Sequence, residues 1–437
     1  MFFLLCESPV ALSFFCCLCL QGAQDWAQWR GNDRDGTWSE TGLVAEFDQE
    51  SLKTRWSQPV SAGYSGPTVA DGRVYLMDRR TENGQQTERV LCFDSNRGDP
   101  IWQHEYQADY ANVGYGAGPR ASVTIEDGIA YSLGTMGNVC CLDAKTGDVI
   151  WQRDLDRDYR VSETRRMPIW GISGSPLIYR ENVILHVGGA DGACVVALNK
   201  RTGEEVWRAL DDRAQYSSPI LVKQNGKDVV VCWTGDSVAG INPETGKVYW
   251  RFPFLPSRMP IGVATPVVQG NRLFFTSFYD GALMLEMDSP EMTVSEVWRA
   301  SGPNERRTKA LHSIISTPVW LGDYIYGVDS YGELRCLSAS DGERVWEDLS
   351  AVPRSRWSTI HFVQNKNLTW MFNERGELIL AKLTPEEFVE ISRVQIIEPT
   401  TEQLRQRNGV CWSHPAFADR CIFVRNDQEL KCISLAE

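Results

Sequence analysis

Short apolar runs recur along this chain, separated by turns built from Gly, Asp, Asn and Ser. The stretch Cys141 to Trp151, CLDAKTGDVIW, sets the pattern. It reads as two strands joined by a tight turn in which Gly147 supplies the positive φ such a turn needs. The same arrangement returns in FDSNRGDPIW ending at Trp102, LNKRTGEEVW at Trp207, INPETGKVYW at Trp250 and LSASDGERVW at Trp346. In every copy a Gly stands four residues before the Trp, and an Asp, Asn or Ser eight before. A degenerate copy, LEMDSPEMTVSEVW, reaches Trp298 without the Gly. Recurrence at a period of about 45 residues marks a repeat architecture.

The full unit predicts four strands. An opening strand of small residues and Pro leads, followed by one rich in Val, Ile, Tyr and Phe. A third carries a small-residue slot (Cys92, Cys141, Ala197, Gly240, Cys336, Cys432), and a fourth ends in the Trp. Eight opening strands are present, at Ser65, Arg120, Ser173, Tyr216, Val263, Ile315, Trp357 and Trp412. Six of them carry Pro, which lacks an N–H and suits a strand start or an edge. The last unit has no fourth strand after LKCISL, whereas an unpartnered strand, SLKTRWSQPV, precedes the first unit and places Trp56 at the missing position. An N-terminal strand that completes the final sheet closes a ring. The expected fold is all-β: an eight-bladed β-propeller of four-stranded antiparallel blades, which hides its edges by radial repetition. The propeller is expected over 51–437, with an extension over 24–50. The seventh blade is worn, lacking the Trp, and a short helical turn is expected at Glu386-Glu387.

These repeats resemble the pyrroloquinoline-quinone-like (PQQ-like) propeller superfamily, which includes the quinoprotein alcohol dehydrogenases and the assembly lipoprotein BamB. WAQWRGNDRDG, GYGAGPRAS and YSSPI look like secreted bacterial members of it. The resemblance covers nearly the whole chain after residue 23 and implies the fold firmly. It implies chemistry poorly, because the repeated Trp and Gly are structural and a fold hosts many functions.

Composition narrows the options. A net charge of −13 argues against a nucleic-acid or anionic-membrane binder, either of which needs a basic face. The first 23 residues, apolar and ending in small residues, read as a secretory signal peptide cleaved near Ala23, despite Glu7 and the lack of a positive start. Export to the periplasm or exterior is therefore expected. No later stretch is apolar enough to span a bilayer. Thirteen cysteines are present, nine of them after Ala23. Four fill the small-residue slot, which reads as packing rather than a disulfide framework.

The variable segments are the loops that lead into the opening strands, expected to gather at one end of the central channel. They are rich in Arg for so acidic a chain. Arg120, Arg166, Arg258 and Arg356 are candidate anion-binding residues, since a planar guanidinium suits carboxylates and phosphates. Trp170, Tyr216, Trp357 and Trp412, with His312 and His414, are candidate walls for a planar or sugar-like ligand. The competing reading pairs these Arg with acids of the same loops, such as Asp211 and Glu305.

Catalytic readings find less. Cys140-Cys141 invites comparison with the vicinal disulfide of several quinoprotein dehydrogenases, but successive strand residues point to opposite faces. Asp191 and Asp280 read as turn residues beside Gly. No calcium cage for PQQ can be assembled, no zinc motif appears, and the five His show no nucleophile pairing. The expectation is an exported, non-catalytic, monomeric propeller of BamB-like type, binding a protein partner or a small anionic ligand at the channel mouth. A PQQ- and calcium-dependent dehydrogenase and a polysaccharide-binding module are the alternatives.

Overall fold

Eight four-stranded antiparallel sheets are present in the computed structural model, which describes residues 24–288 and 290–437. The signal-peptide expectation falls on residues 1–23, outside the described residues. Seven blades are formed by consecutive strands, over 68–107, 124–154, 177–209, 220–253, 267–300, 319–348 and 360–395. The eighth takes three strands from 416–434 and its fourth from Lys53–Pro59, with Trp56 opposite Cys432. The ring closes as the strand count predicted. Each opening strand bearing a Pro begins at the residue after it, as at Leu177 after Pro176. Among the described residues the single helix is a four-residue turn, Leu155–Asp158, in the loop entering the third blade. The helical turn expected at Glu386-Glu387 is instead a bend closed by Thr384, whose amide N–H donates to the Glu387 carbonyl at 3.2 Å.

The repeat is explained by how one blade docks on the next. Asp143 and its counterparts make the turn: their side-chain oxygen accepts two successive amides, Lys145 N at 2.8 Å and Thr146 N at 2.9 Å. Those two amides hold the Asp143 carboxyl below its ordinary pKa. In the seven blades that carry the Trp, the fourth strand then bulges at the residue before it: Trp151 faces Cys141, Val149 faces Leu142, and Ile150 between them is unpaired. The bulge aims the Trp toward the neighbouring blade. There its indole donates to the carbonyl three residues before the turn glycine, Trp102 to Ala144 at 3.1 Å and Trp151 to Lys200 at 3.0 Å. Gly147 has φ +79°, and a Cβ on it would lie 2.7 Å from the Trp102 ring. Both the turn and the docking therefore require Gly.

The small slot has the same origin. It lies directly across from the Trp, and a Cβ on Gly240 would be 2.2 Å from the Trp250 ring. The seventh blade exchanges the two sizes, with Ser392 facing Leu380. The fifth blade lacks the turn glycine, and Gln224 substitutes for it. Its carbonyl oxygen accepts from Trp250 Nε1 at 2.8 Å, while its amide donates to Asp288 and Thr293 of the fifth blade at 2.7 and 2.9 Å.

Innermost strands are joined by small hydroxyls. Ser175 Oγ accepts from Ser122 N, Ser218 Oγ from Ser175 N and Thr317 Oγ1 from Thr265 N, each at 3.0 Å across a blade boundary. The nine cysteines among the described residues are unbonded and buried. Cys140 and Cys141 pack in separate hydrophobic clusters, on opposite faces of their sheet.

Residues 24–50 are not a loose extension. Trp26 pairs with Val69 in the first blade, Ala27 accepts from Ile125 N in the second, and Arg34 donates to the Ser175 and Pro176 carbonyls at 2.9 Å in the third. Trp29 Nε1 reaches Thr265 at 2.8 Å, and Trp38 N donates to Gln364. Trp38 is fully buried against Phe417 and Trp370. The segment stoppers one end of the channel. Burial is deep enough to push the Arg30 and Arg34 guanidiniums down to about 10 and about 9.

Candidate functional site

The loops entering the innermost strands converge at the other end of the channel, as expected. There all eight blades and the N-terminal segment enclose a cavity of about 130 Å³. Of the predicted residues, Arg120, Trp170, Tyr216, Trp357, Trp412 and His414 line it. Arg166, Arg258, His312 and Arg356 do not. Arg166 pairs with Asp211 at 2.8 Å and Arg258 with Glu305 at 3.7 Å, each bridging to the next loop, so both are engaged by the channel-mouth acids that the competing reading named. His312 is buried behind the wall, its Nδ1 donating to the Phe278 carbonyl at 3.1 Å and its Nε2 accepting from Gly302 N. Arg356 stacks over Trp357 at 4.5 Å and Phe278 at 5.2 Å, on the outer side of the wall.

Trp29, Tyr64 and His361, which sequence reasoning did not select, also line the cavity, as does Tyr115, one of the aromatics it noted in the channel-mouth loops. Tyr115 had a local signal, standing between Gly114 and Gly116. It adopts φ +55°, an uncommon conformation for a large side chain, and so does Trp357 at +68°. From this position the Tyr115 ring meets Trp170 at 5.5 Å, Trp357 at 5.7 Å and Trp412 at 6.3 Å, one Trp from each of three blades. Trp170 in turn stacks on Tyr216 at 4.9 Å. The result is an aromatic roof centred on Tyr115.

Arg120 holds that roof. Its guanidinium donates to the carbonyls of Gly114, Tyr115 and Gly118 at 2.9, 2.5 and 2.5 Å and lies over the Tyr64 ring at 5.0 Å. Its donors fasten its own loop, so it presents little to a ligand. A further support stands behind Trp412, whose indole donates to Glu374 at 3.2 Å, while Glu374 pairs with Arg407 at 2.8 Å.

The floor is polar but uncharged. His361 Nε2 donates to the Trp412 carbonyl at 2.9 Å and His414 Nδ1 to the Pro415 carbonyl at 2.5 Å. A carbonyl accepts from an N–H, so the other ring nitrogen of each neutral imidazole is an acceptor. Burial pushes His361 down to about 4, and burial with the neighbouring His361 and Arg30 pushes His414 well below the ordinary imidazole range. Both are neutral at pH 7. Ser175 and Ser218 complete the floor.

This donor set does not fit a calcium-bound quinone. No Asp or Glu lines the cavity, and no cluster of three or more His, Cys, Asp or Glu among the described residues is arranged to hold a metal ion. Asp191 is engaged by Arg160, and Asp280 accepts from Ser257 N at 2.7 Å. Among the described residues no helix is long and apolar enough to cross a membrane.

Comparisons with known proteins agree with the repeat pattern. A family model described as outer membrane protein assembly factor BamB matches residues 33–167 and 86–348. The BamB of Shewanella oneidensis is 26% identical over 166 residues, 37% of this chain and 40% of that protein, so the match spans less than half of the relative. The crystal structure of BamB from Moraxella catarrhalis superposes with a TM-score of 0.56 at 16% identity, over 88% of this chain and 97% of that one. Quinohemoprotein alcohol dehydrogenase from Comamonas testosteroni gives 0.64 at 12% identity, over 94% of this chain and 80% of that one. At such identities the two structures report the fold alone.

Proposed function

The chain belongs to the family of outer membrane protein assembly factor BamB, and on that premise we propose that it is an exported, non-catalytic scaffold that engages a protein partner through its channel-mouth loops. The observation that carries this reading is the aromatic-walled cavity at the mouth, lined by residues from every blade and by no carboxylate. Aromatic side chains in partly desolvated pockets are the usual anchors of protein interfaces. Ile169 and Leu255, on two of the same loops, are 51% and 67% exposed and add apolar surface around the mouth. Arg356 is exposed and has no ion-pair partner among the described residues, so it can meet an acidic group of the partner. The fold is shared with dehydrogenases, but no carboxylate lines the cavity to hold a metal ion, and its two imidazoles are weakened as bases by burial.

The test is site-specific photo-crosslinking in the source cell. A photoreactive residue at Ile169 or Leu255 should capture one protein in common, and the same residue at Val345, on the exposed outer strand of the sixth blade, should not. Capture from Val345 alone would move the interface to the rim. Saturable, calcium-dependent binding of PQQ with alcohol oxidation would replace the scaffold reading by the dehydrogenase.

A further inference from the structure

The mouth cavity carries more information than its location. Its size is close to that of apolar cavities that hold a single benzene ring. Its walls are aromatic, with Val263, Ile314 and Ile315 filling between them. Its floor offers two imidazole acceptor nitrogens and the hydroxyls of Ser175 and Ser218, which accept amides from neighbouring strands and retain their own O–H.

This combination excludes most ligand classes by elementary chemistry. A cation would find no carboxylate and would face the Arg120 guanidinium. An anion would find that guanidinium already bonded to three loop carbonyls. A sugar would bury several hydroxyls against Val263, Ile314 and Ile315, where they have no partner, and unpaired burial is costly. A plain hydrocarbon ring would leave the floor acceptors dry. What remains is one flat ring bearing a single N–H or O–H.

The roof suggests how such a ring enters. Tyr115 is itself a phenol, held among three Trp by a backbone in the left-handed region. Arg120 pins the carbonyls on either side of it, and Gly114 N donates to the Ile169 carbonyl at 2.7 Å. The loop backbone is therefore fixed, and any opening of the roof falls to the Tyr115 side chain. We propose that the cavity is a receptor for one phenol or indole ring, the Tyr or Trp side chain of a partner protein, and that Tyr115 is the roof ring this guest must move aside to enter. The proposal rests on the scaffold reading for the source of the ring, and on the cavity alone for its chemistry.

The experiment uses the chain from Gln24 and small probes read by saturation-transfer NMR and calorimetry. p-Cresol and N-acetyltyrosinamide are expected to bind saturably. Toluene, equal in shape without the donor, is expected to bind about tenfold more weakly, the scale of one hydrogen bond. Methyl glucoside and benzoate should not compete. Tyr115→Ala should bind p-cresol about tenfold more tightly, because no roof ring has to be moved from its Trp neighbours, whereas Tyr115→Phe, which keeps the ring, should stay near the parent. Toluene binding as well as p-cresol would remove the polar floor from the account, an unaltered Tyr115→Ala would remove the gate, and no saturable binding to either protein would overturn the receptor. If a partner is captured at Ile169 and p-cresol does not compete with that capture, the scaffold reading stands and this one falls. If p-cresol binds and nothing is captured, the ring receptor stands and its partner source falls.

Discussion

The two ends of the channel are closed by different means. At one end, residues 24–38 cross the bore with main-chain pairing to Val69, Ile125 and Gln364 and with two buried guanidiniums, Arg34 donating to carbonyls of the third blade. At the other, Tyr115 meets Trp170 and Trp357 edge to face and Trp412 at a tilt, at 5.5 to 6.3 Å, on loops with positive φ at Tyr115 and Trp357. Main-chain hydrogen bonds and buried Trp fix one arrangement, because an orphaned buried donor is costly. Aromatic edges and rotatable side chains allow more than one arrangement. The stoppered end is part of the fold; the aromatic end is where binding can occur without unfolding anything.

That contrast can be broken in a ranked way. The largest effect is expected at the stopper: Trp38→Ala should lower stability by about 3–5 kcal/mol, the usual cost of emptying a buried Trp site, read from the urea midpoint. Next comes pH. His186 and His361 are held near 4 by burial, so the unfolded chain takes up protons that the folded chain refuses between pH 6.5 and 4. Stability should therefore be full above pH 6.5 and fall as pH drops toward 4. His361 alone accounts for about 3 kcal/mol at most, and His361→Asn should flatten the curve there. Third, Gly147→Ala puts a Cβ against Trp102 at positive φ and should cost about 1–3 kcal/mol, with tryptophan fluorescence altered at that blade boundary. The smallest change is expected at the mouth. Tyr115→Ala should alter stability by less than about 1 kcal/mol, since the ring is only half-buried and the backbone conformation is unchanged, while its effect on ring binding is large. A Tyr115→Ala protein as unstable as Trp38→Ala would erase the distinction between the two ends.

Much of the architecture could be read in advance because it is local and repeated. Gly147, Trp151 and the slot at Cys141 recur with fixed spacing, since each blade meets the next through the same bulge, the same indole hydrogen bond and the same lack of room for a Cβ. Closure followed from counting strands around Trp56. The mouth was legible only in outline. Trp170, Trp357 and Trp412 could be assigned to one end of the channel, but not the three-way contact with Tyr115. Nor could the sequence tell that Arg166 finds Asp211 while Arg120 turns back to its own loop.

The N-terminal segment makes the same point from the other end. WAQWRGNDRDGTW carries no period, and its hydrogen-bond partners lie in the first, second, third, fifth and seventh blades, up to 326 residues away in the case of Trp38 and Gln364. A repeat is written into the chain because neighbouring units impose one short-range rule again and again. A stopper and a cavity are assembled from singular side chains brought together by ring closure, so their geometry exists only once the eight blades stand around a common axis.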